Sequence, residues 1–245
     1  MKPVLLLIPG MLNDGRVWAD VANALASDAQ VRLASVAQAS SIPAMAEAAW
    51  RQIADVAPAT PVILAGFSLG GYVAIEMLAT PRRPLAAAAL LSTSSLPEGP
   101  EGLTARERSL RALASDFAKT VDGIVSWGTD HAPPELAARL RQMMLEVGAE
   151  TAIRQTRAIM ARVDHRNALA RLDLPVLVLC GTADRITPMA RSEELAALVP
   201  RARLVRVDGA GHMLPCEQPA AVAQALRDLL RGLPSHSQSA EEIPR

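Results

Sequence analysis

The chain has 245 residues, 25 basic side chains balanced by 25 acidic ones, and an apolar fraction of 50%, a size and composition suited to one α/β domain or two small ones. High apolar content without net charge is opposite to the signature of disorder, and the interspersed charges offer no basic face for nucleic acid. The two cysteines, Cys180 and Cys216, form neither a disulfide framework nor a zinc-ligand set, and no apolar run approaches the ~20 residues that span a bilayer, so a cytoplasmic protein without a membrane segment is expected.

The first element is the apolar run Val4-Leu5-Leu6-Leu7-Ile8, too short for the hydrophobic region of a signal peptide and better read as a buried strand. Further short apolar runs predict strands over 31–36, 62–67, 86–92, 176–180 and 204–207, with helices over 16–26, 44–56, 69–79, 190–198 and 219–231. The alternation is that of repeated βα units. Nearly continuous apolar strands imply a parallel sheet covered on both faces and joined by right-handed crossovers. In the last helix Val222, Leu226, Leu229 and Leu230 recur at i, i+4, i+7 and i+8, one stripe facing the sheet.

Between residues 95 and 167 the rhythm stops, and the chain reads as helices broken at Pro97, Gly99, Pro100, Pro133 and Pro134. This division predicts core segments at 1–94 and 168–233, a helical insertion at 95–167, and a polar flexible tail at 234–245. Met143, Met144 and Met160 in the insertion suit either an irregular core or a permissive pocket.

Three loops carry chemistry. After the third predicted strand comes Gly66-Phe67-Ser68-Leu69-Gly70-Gly71, a G-x-S-x-G pattern between strand and helix. A sharp turn there lifts the Ser68 hydroxyl above the sheet, and Gly66 and Gly70 leave room for neighbouring backbone. The free N–H groups and positive dipole end of the next helix face the same place. A serine hydroxyl needs a base, and the base needs an acceptor that fixes its tautomer. Asp184 lies in the loop after the strand over 176–180, and His212 in the loop after the strand over 204–207. Ligands and reacting groups gather beyond the carboxyl ends of parallel strands, so Ser68, Asp184 and His212 form a candidate triad. Asp208 competes as the acceptor but stands beside Gly209 in a turn; His131, His165 and His236 are weaker candidates, and a structural hydrogen bond is expected for His165. Backbone N–H donors for a developing oxyanion are expected from Leu69 and from Met11, where Gly10 allows close approach at the exit of the first strand.

With Gly181-Thr182-Ala183-Asp184, Thr187-Pro188 and Gly211-His212-Met213-Leu214-Pro215, the chain resembles the α/β-hydrolase superfamily over nearly its whole length apart from the tail. The form Phe67-Ser68-Leu69-Gly70-Gly71, the compact insertion and the return Arg166…Leu169-Ala170…Leu172…Leu174-Pro175 look like its branch of carboxylesterases, enol-lactonases and biotin- and menaquinone-pathway hydrolases. The resemblance implies an α/β-hydrolase fold with a mostly parallel sheet of about six strands, flanking helices and a helical cap, the usual leading hairpin being missing. It implies Ser68 as nucleophile, His212 as base and then acid, Asp184 as its orienting carboxylate, and Met11 and Leu69 as oxyanion donors. Ser rather than Asp at position 68 argues against epoxide hydrolases and haloalkane dehalogenases, and Pro9-Gly10 departs from the His-Gly of many relatives.

The expectation is therefore a serine hydrolase that cleaves a small to medium carboxylic ester, thioester or lactone through an acyl-enzyme, acting as a monomer or homodimer without metal or organic cofactor. Trp18, Phe67, Tyr72, Phe117, Trp127 and Met213 are the candidate pocket residues, the scarce aromatics being gathered near the motifs. A C–C bond hydrolase or lyase on the same fold, or a ligand-binding receptor that keeps the triad, stays open at this stage.

Overall fold

The structure, a computed structural model, describes residues 2–233; the predicted tail at 234–245 and His236 lie outside the described residues. Six strands, β1 (Val4–Ile8), β2 (Gln30–Leu33), β3 (Val62–Phe67), β4 (Ala87–Leu91), β5 (Val176–Gly181) and β6 (Ala202–Val207), form one sheet in the order β2-β1-β3-β4-β5-β6. Every pairing is parallel. The four central strands are buried on both faces, which is why they read as unbroken apolar runs. The edge strands β2 and β6 are only partly buried and carry Arg32, Arg203 and Arg206, charges that discourage pairing with another chain.

Alternate residues of each strand feed two cores. Leu5, Leu7, Ala65, Phe67 and Leu91 pack with α1 (Ala19–Leu25) and α11 (Pro219–Arg231) on one face. Val4, Leu6, Ile8, Leu64 and Leu90 pack with α2 (Ile42–Arg51), α3 (Leu69–Ala79) and α9 (Met189–Leu198) on the other.

Boundaries move where a side chain caps the backbone. The predicted helix over 16–26 is a 3₁₀ turn, Gly15–Trp18, followed by α1, because the Asp14 carboxylate accepts the Arg16 N–H at 2.9 Å. The one predicted over 44–56 starts earlier and ends earlier, at α2, because Ser41 Oγ accepts the Ala44 N–H at 3.2 Å and Pro43 fits the first turn. The strand predicted over 31–36 ends at Leu33, where its register with β1 ends.

Between β4 and β5 the βα alternation gives way to α4 (Pro100–Ser115), α5 (Phe117–Gly128), α6 (Pro134–Val147) and α7 (Ala149–Met160), followed by the single turn α8 (Arg166–Leu169). A second short helix, α10 (Leu214–Glu217), separates the His212 loop from α11. Among the described residues no helix is long and apolar enough to cross a membrane.

Candidate active site

The serine turn is built by exclusion. Ser68 stands at φ 53 and ψ −115 between β3 and α3, a conformation that costs a non-glycine residue on the order of 1–3 kcal/mol and persists only where the surroundings enforce it. They do: a Cβ on Gly66 would lie 2.3 Å from the Gly70 carbonyl oxygen, and one on Gly70 would lie 2.2 Å from that of Ile8. The Ser68 N–H donates to the Leu91 carbonyl at 2.9 Å, and its own carbonyl accepts from the Thr93 hydroxyl at 2.9 Å.

The side chains from the other two loops meet this serine. His212 Nε2 is 2.9 Å from Ser68 Oγ, and His212 Nδ1 is 3.1 and 3.0 Å from the two carboxylate oxygens of Asp184. Asp184 Oδ1 accepts the N–H groups of Ile186 at 2.9 Å and Thr187 at 2.8 Å, while Oδ2 accepts the Thr187 hydroxyl at 2.8 Å. That hydroxyl proton is spent on Asp184, so the 3.2 Å contact between Thr187 Oγ1 and His212 Nδ1 leaves the carboxylate as the acceptor for the ring N–H. Burial pushes the Asp184 carboxyl up, but the hydrogen bonds from His212 and Thr187 outweigh it and hold the group below the usual carboxylate range. Asp208 stays exposed in the turn with Gly209, away from this pairing.

Long-range contacts hold the histidine loop, and the sequence reading missed them. The N–H groups of His212 and Met213 donate to the Gly128 carbonyl at 2.8 and 3.0 Å, at the end of α5. Glu217 Oε2 accepts the N–H of Gly211 at 3.0 Å and of Asp130 at 2.7 Å, and burial pushes this carboxyl up in spite of those bonds. Arg185 donates to the carbonyls of Ser126, Trp127 and Thr129 and so caps α5 from the acid loop. A carboxylate at the end of the apolar run Met213-Leu214-Pro215-Cys216 was the one local sign of this arrangement.

A cavity of about 160 Å³ opens beside Ser68 and His212, with Met11, Phe67, Tyr72 and Met213 in its wall and Leu113, Ile124, Met144 and Ile159 contributed by the insertion. Among the described residues no hydrogen bond uses the N–H of Met11 or of Leu69. Three candidate pocket residues stand elsewhere. Trp18 is fully buried one layer behind, edge-on to Phe67 with ring centroids 6.3 Å apart. Phe117 is half-buried against the hydrophobic cluster that the insertion shares with one face of the sheet, and Trp127 is 57% exposed with the Arg185 guanidinium 4.7 Å from its ring centre. Nearness to a motif in sequence does not select the face a side chain takes, and helix rotation turned both insertion aromatics out of the cleft.

Arg106, which also lines the cavity, and Arg162 share Glu98 Oε1 at 3.0 and 3.1 Å, and Arg162 lies 4.3 Å from the centre of the Tyr72 ring. Burial raises the Glu98 carboxyl, yet the two guanidinium groups bring it below its ordinary value. His165 Nε2 sits 2.7 Å from Glu76 Oε2, away from Ser68, and His131 is exposed beside Asp130. Both cysteines are unpaired; burial lifts Cys180 to about 11 and Cys216 to about 12, so neither is a ready nucleophile. Among the described residues no group of three or more His, Cys, Asp or Glu side chains is placed to hold a metal ion.

Comparison with known proteins agrees with this fold. A family model described as the alpha/beta hydrolase family matches residues 5–225. The chain is 31% identical over 248 residues to the pimeloyl-[acyl-carrier protein] methyl ester esterase of Xanthomonas campestris pv. campestris, covering 95% of this chain and 96% of that one. A thermophilic esterase from Thermogutta terrifontis superposes with a TM-score of 0.83 at 27% identity, over 94% of this chain and 90% of the other. The enol-lactonase from Burkholderia xenovorans LB400 shares the fold, with a TM-score of 0.81 at 20% identity over 94% and 92% of the two chains.

Proposed function

The chain belongs to the alpha/beta hydrolase family, and from that premise we propose that it is a serine hydrolase whose nucleophile, base and orienting acid are Ser68, His212 and Asp184. Its substrates are carboxylic esters. The relatives include an esterase for a pimeloyl-[acyl-carrier protein] methyl ester, and the aliphatic side chains of Leu113, Ile124, Met144 and Ile159 in the wall suit an acyl chain of small to medium length. The reading covers the carboxylic ester, thioester and lactone alike, because each presents the same acyl carbon.

The chemistry follows from the contacts. His212 Nε2 takes the Ser68 proton as Oγ attacks the acyl carbon, and Asp184 holds the imidazolium that forms. Negative charge on the former carbonyl oxygen is met by the N–H groups of Leu69 and Met11, each such donor contributing about 2.7–4 kcal/mol where one has been removed in another enzyme. His212 then protonates the leaving alkoxide or thiolate, a water that gives its proton to the same nitrogen attacks the acyl-enzyme, and His212 returns that proton to Ser68 Oγ as the acid leaves. The helices of residues 95–167 act as a cap that walls the cleft against water. Unpaired thiols suit a reducing compartment, so a cytoplasmic location belongs to the same reading, as does action by a monomer or homodimer whose triad comes from one chain.

The observation that carries the proposal is the continuous Ser68–His212–Asp184 contact at hydrogen-bond distances. The test is labelling by a fluorophosphonate and turnover of a panel of acyl esters varied in chain length and leaving group. Wild type is expected to be labelled and active; Ser68→Ala is expected to lose the label and, by analogy with triad knockouts elsewhere, at least about 10⁴-fold in turnover while keeping its fold. Absence of both signals from wild type sinks the reading.

A further inference from the structure

The turn that offers the Met11 N–H is strained in a way its own sequence does not support. It spans Gly10 to Asn13, closed by the Asn13 N–H on the Gly10 carbonyl at 3.3 Å, and its third residue, Leu12, stands at φ 58. That position of a turn with positive φ normally takes Gly or Asn, and a branched side chain there costs on the order of 1–2 kcal/mol. Reversing the Met11–Leu12 peptide would return Leu12 to negative φ and swing the Met11 carbonyl round, disturbing the residue proposed as an oxyanion donor.

What opposes that reversal comes from the cap. The Leu12 N–H donates at 2.9 Å to Oε1 of Gln155, a residue of α7 with no exposed surface. Its Nε2 has no hydrogen-bond partner among the described residues. An orphaned buried donor is destabilising, and an apolar side chain of the same size would avoid it, so packing alone does not account for glutamine here. The neighbouring Thr156 hydroxyl lies 3.8 Å from Met11 Sδ, which places consecutive residues of α7 against both corner residues of the turn.

We propose that Gln155 is a positioning residue for the oxyanion pocket: its side-chain carbonyl pins the Leu12 N–H, holds the turn in its positive-φ form and so fixes the geometry in which Met11 borders the cleft. Stabilisation of the tetrahedral intermediate then depends on the cap as well as on the sheet. The inference rests on the assignment of Met11 as a donor made above.

The experiment is Gln155→Met, made alone and in a Leu12→Gly background, with kcat, KM and binding of a boronic acid that forms a tetrahedral adduct on Ser68. Alone, the substitution is expected to lower kcat about tenfold or more with KM within about twofold, and to weaken the boronic acid by the same factor, the pattern of a contact made only in the transition state. With glycine at position 12 the turn holds positive φ unaided, so the same substitution is expected to cost less than about threefold. Equal losses in both backgrounds, or a change confined to KM, overturn the proposal. A crystal structure of Gln155→Met separates this inference from the reading beneath it: positive φ retained at Leu12 overturns the inference whatever the turnover, whereas inactive, unlabelled wild type overturns the hydrolase reading. Should Gln155→Met not fold, Gln155→Asn keeps the amide but shortens its reach, and wild-type kcat in that variant likewise overturns the proposal.

Discussion

Two strained turns stand side by side at the ends of the paired strands β1 and β3, with Leu12 at φ 58 in one and Ser68 at φ 53 in the other. The serine is held by backbone crowding, mostly from its own neighbourhood: Gly66 and Gly70 are packed so closely that side chains on them would strike main chain. The leucine is held by a hydrogen bond to Gln155, which lies 143 residues away in sequence. A turn enforced by crowding is rigid and leaves a local motif, whereas one enforced by a distant side chain leaves none and becomes sensitive to the element that carries that side chain.

The contrast is broken most severely by Gly70→Ala, whose added Cβ meets backbone that cannot move aside. The expected outcome is a loss above about 3 kcal/mol in chemical denaturation, or failure to accumulate folded protein; a cost under 1 kcal/mol would mean that crowding does not hold the elbow. Next in size is Asp184→Asn, expected to lower kcat about 10³–10⁴-fold with the fold intact, as the wrong ring tautomer is then favoured. Steady-state kinetics near wild type would transfer the partner role to Asp208.

Thr187→Val probes the Asp184 carboxylate, which besides His212 takes its donors from its own neighbours, the N–H groups of Ile186 and Thr187 and the Thr187 hydroxyl. Loss of the hydroxyl that donates to Asp184 is expected to lower kcat/KM about tenfold, the magnitude of one hydrogen bond to a charged group. Because the folded carboxyl titrates below its unfolded value, it contributes stability above pH 3.8 that is lost as pH falls through the folded value. Without the hydroxyl the folded value rises, so the variant should be less stable than wild type at neutral pH, with the gap closing below pH 3.8 in denaturation series. The smallest effect is expected from Trp127→Ala on the outer side of the cap, within about twofold in kcat/KM and 0.5 kcal/mol in stability; a large rise in KM would return Trp127 to the substrate's path.

Much of this arrangement was legible from residues alone, for physical reasons that differ by element. The central strands announced themselves because burial on both faces demands apolar side chains at every position, whereas the edge strand β2 lacks that demand and ends three residues before the predicted end at 36. Ser68, Asp184 and His212 were legible because each follows a strand whose end is marked by glycine or by turn residues, and parallel strands bring their carboxyl ends to one side. The cap was legible as an interruption of the βα rhythm, but not in what it contacts. Trp18, Phe117 and Trp127 were placed at the cleft from sequence proximity, and rotation of the elements that carry them sent one into the core, one against the cluster shared by cap and sheet and one towards solvent.

The parallel sheet, the strained serine turn and the order in which the loops of Ser68, Asp184 and His212 arrive can be read from the sequence, since all of these follow from local sterics and from the periodicity of burial. Only the tertiary structure fixes that Glu217 and Gly128 hold the histidine loop, that Arg185 caps α5, that Leu113, Ile124, Met144 and Ile159 come to the cleft wall, and that Gln155 reaches the Met11–Leu12 turn. Those are contacts between segments far apart in the chain, and a hydrogen bond between distant partners imposes no spacing that either segment shows on its own.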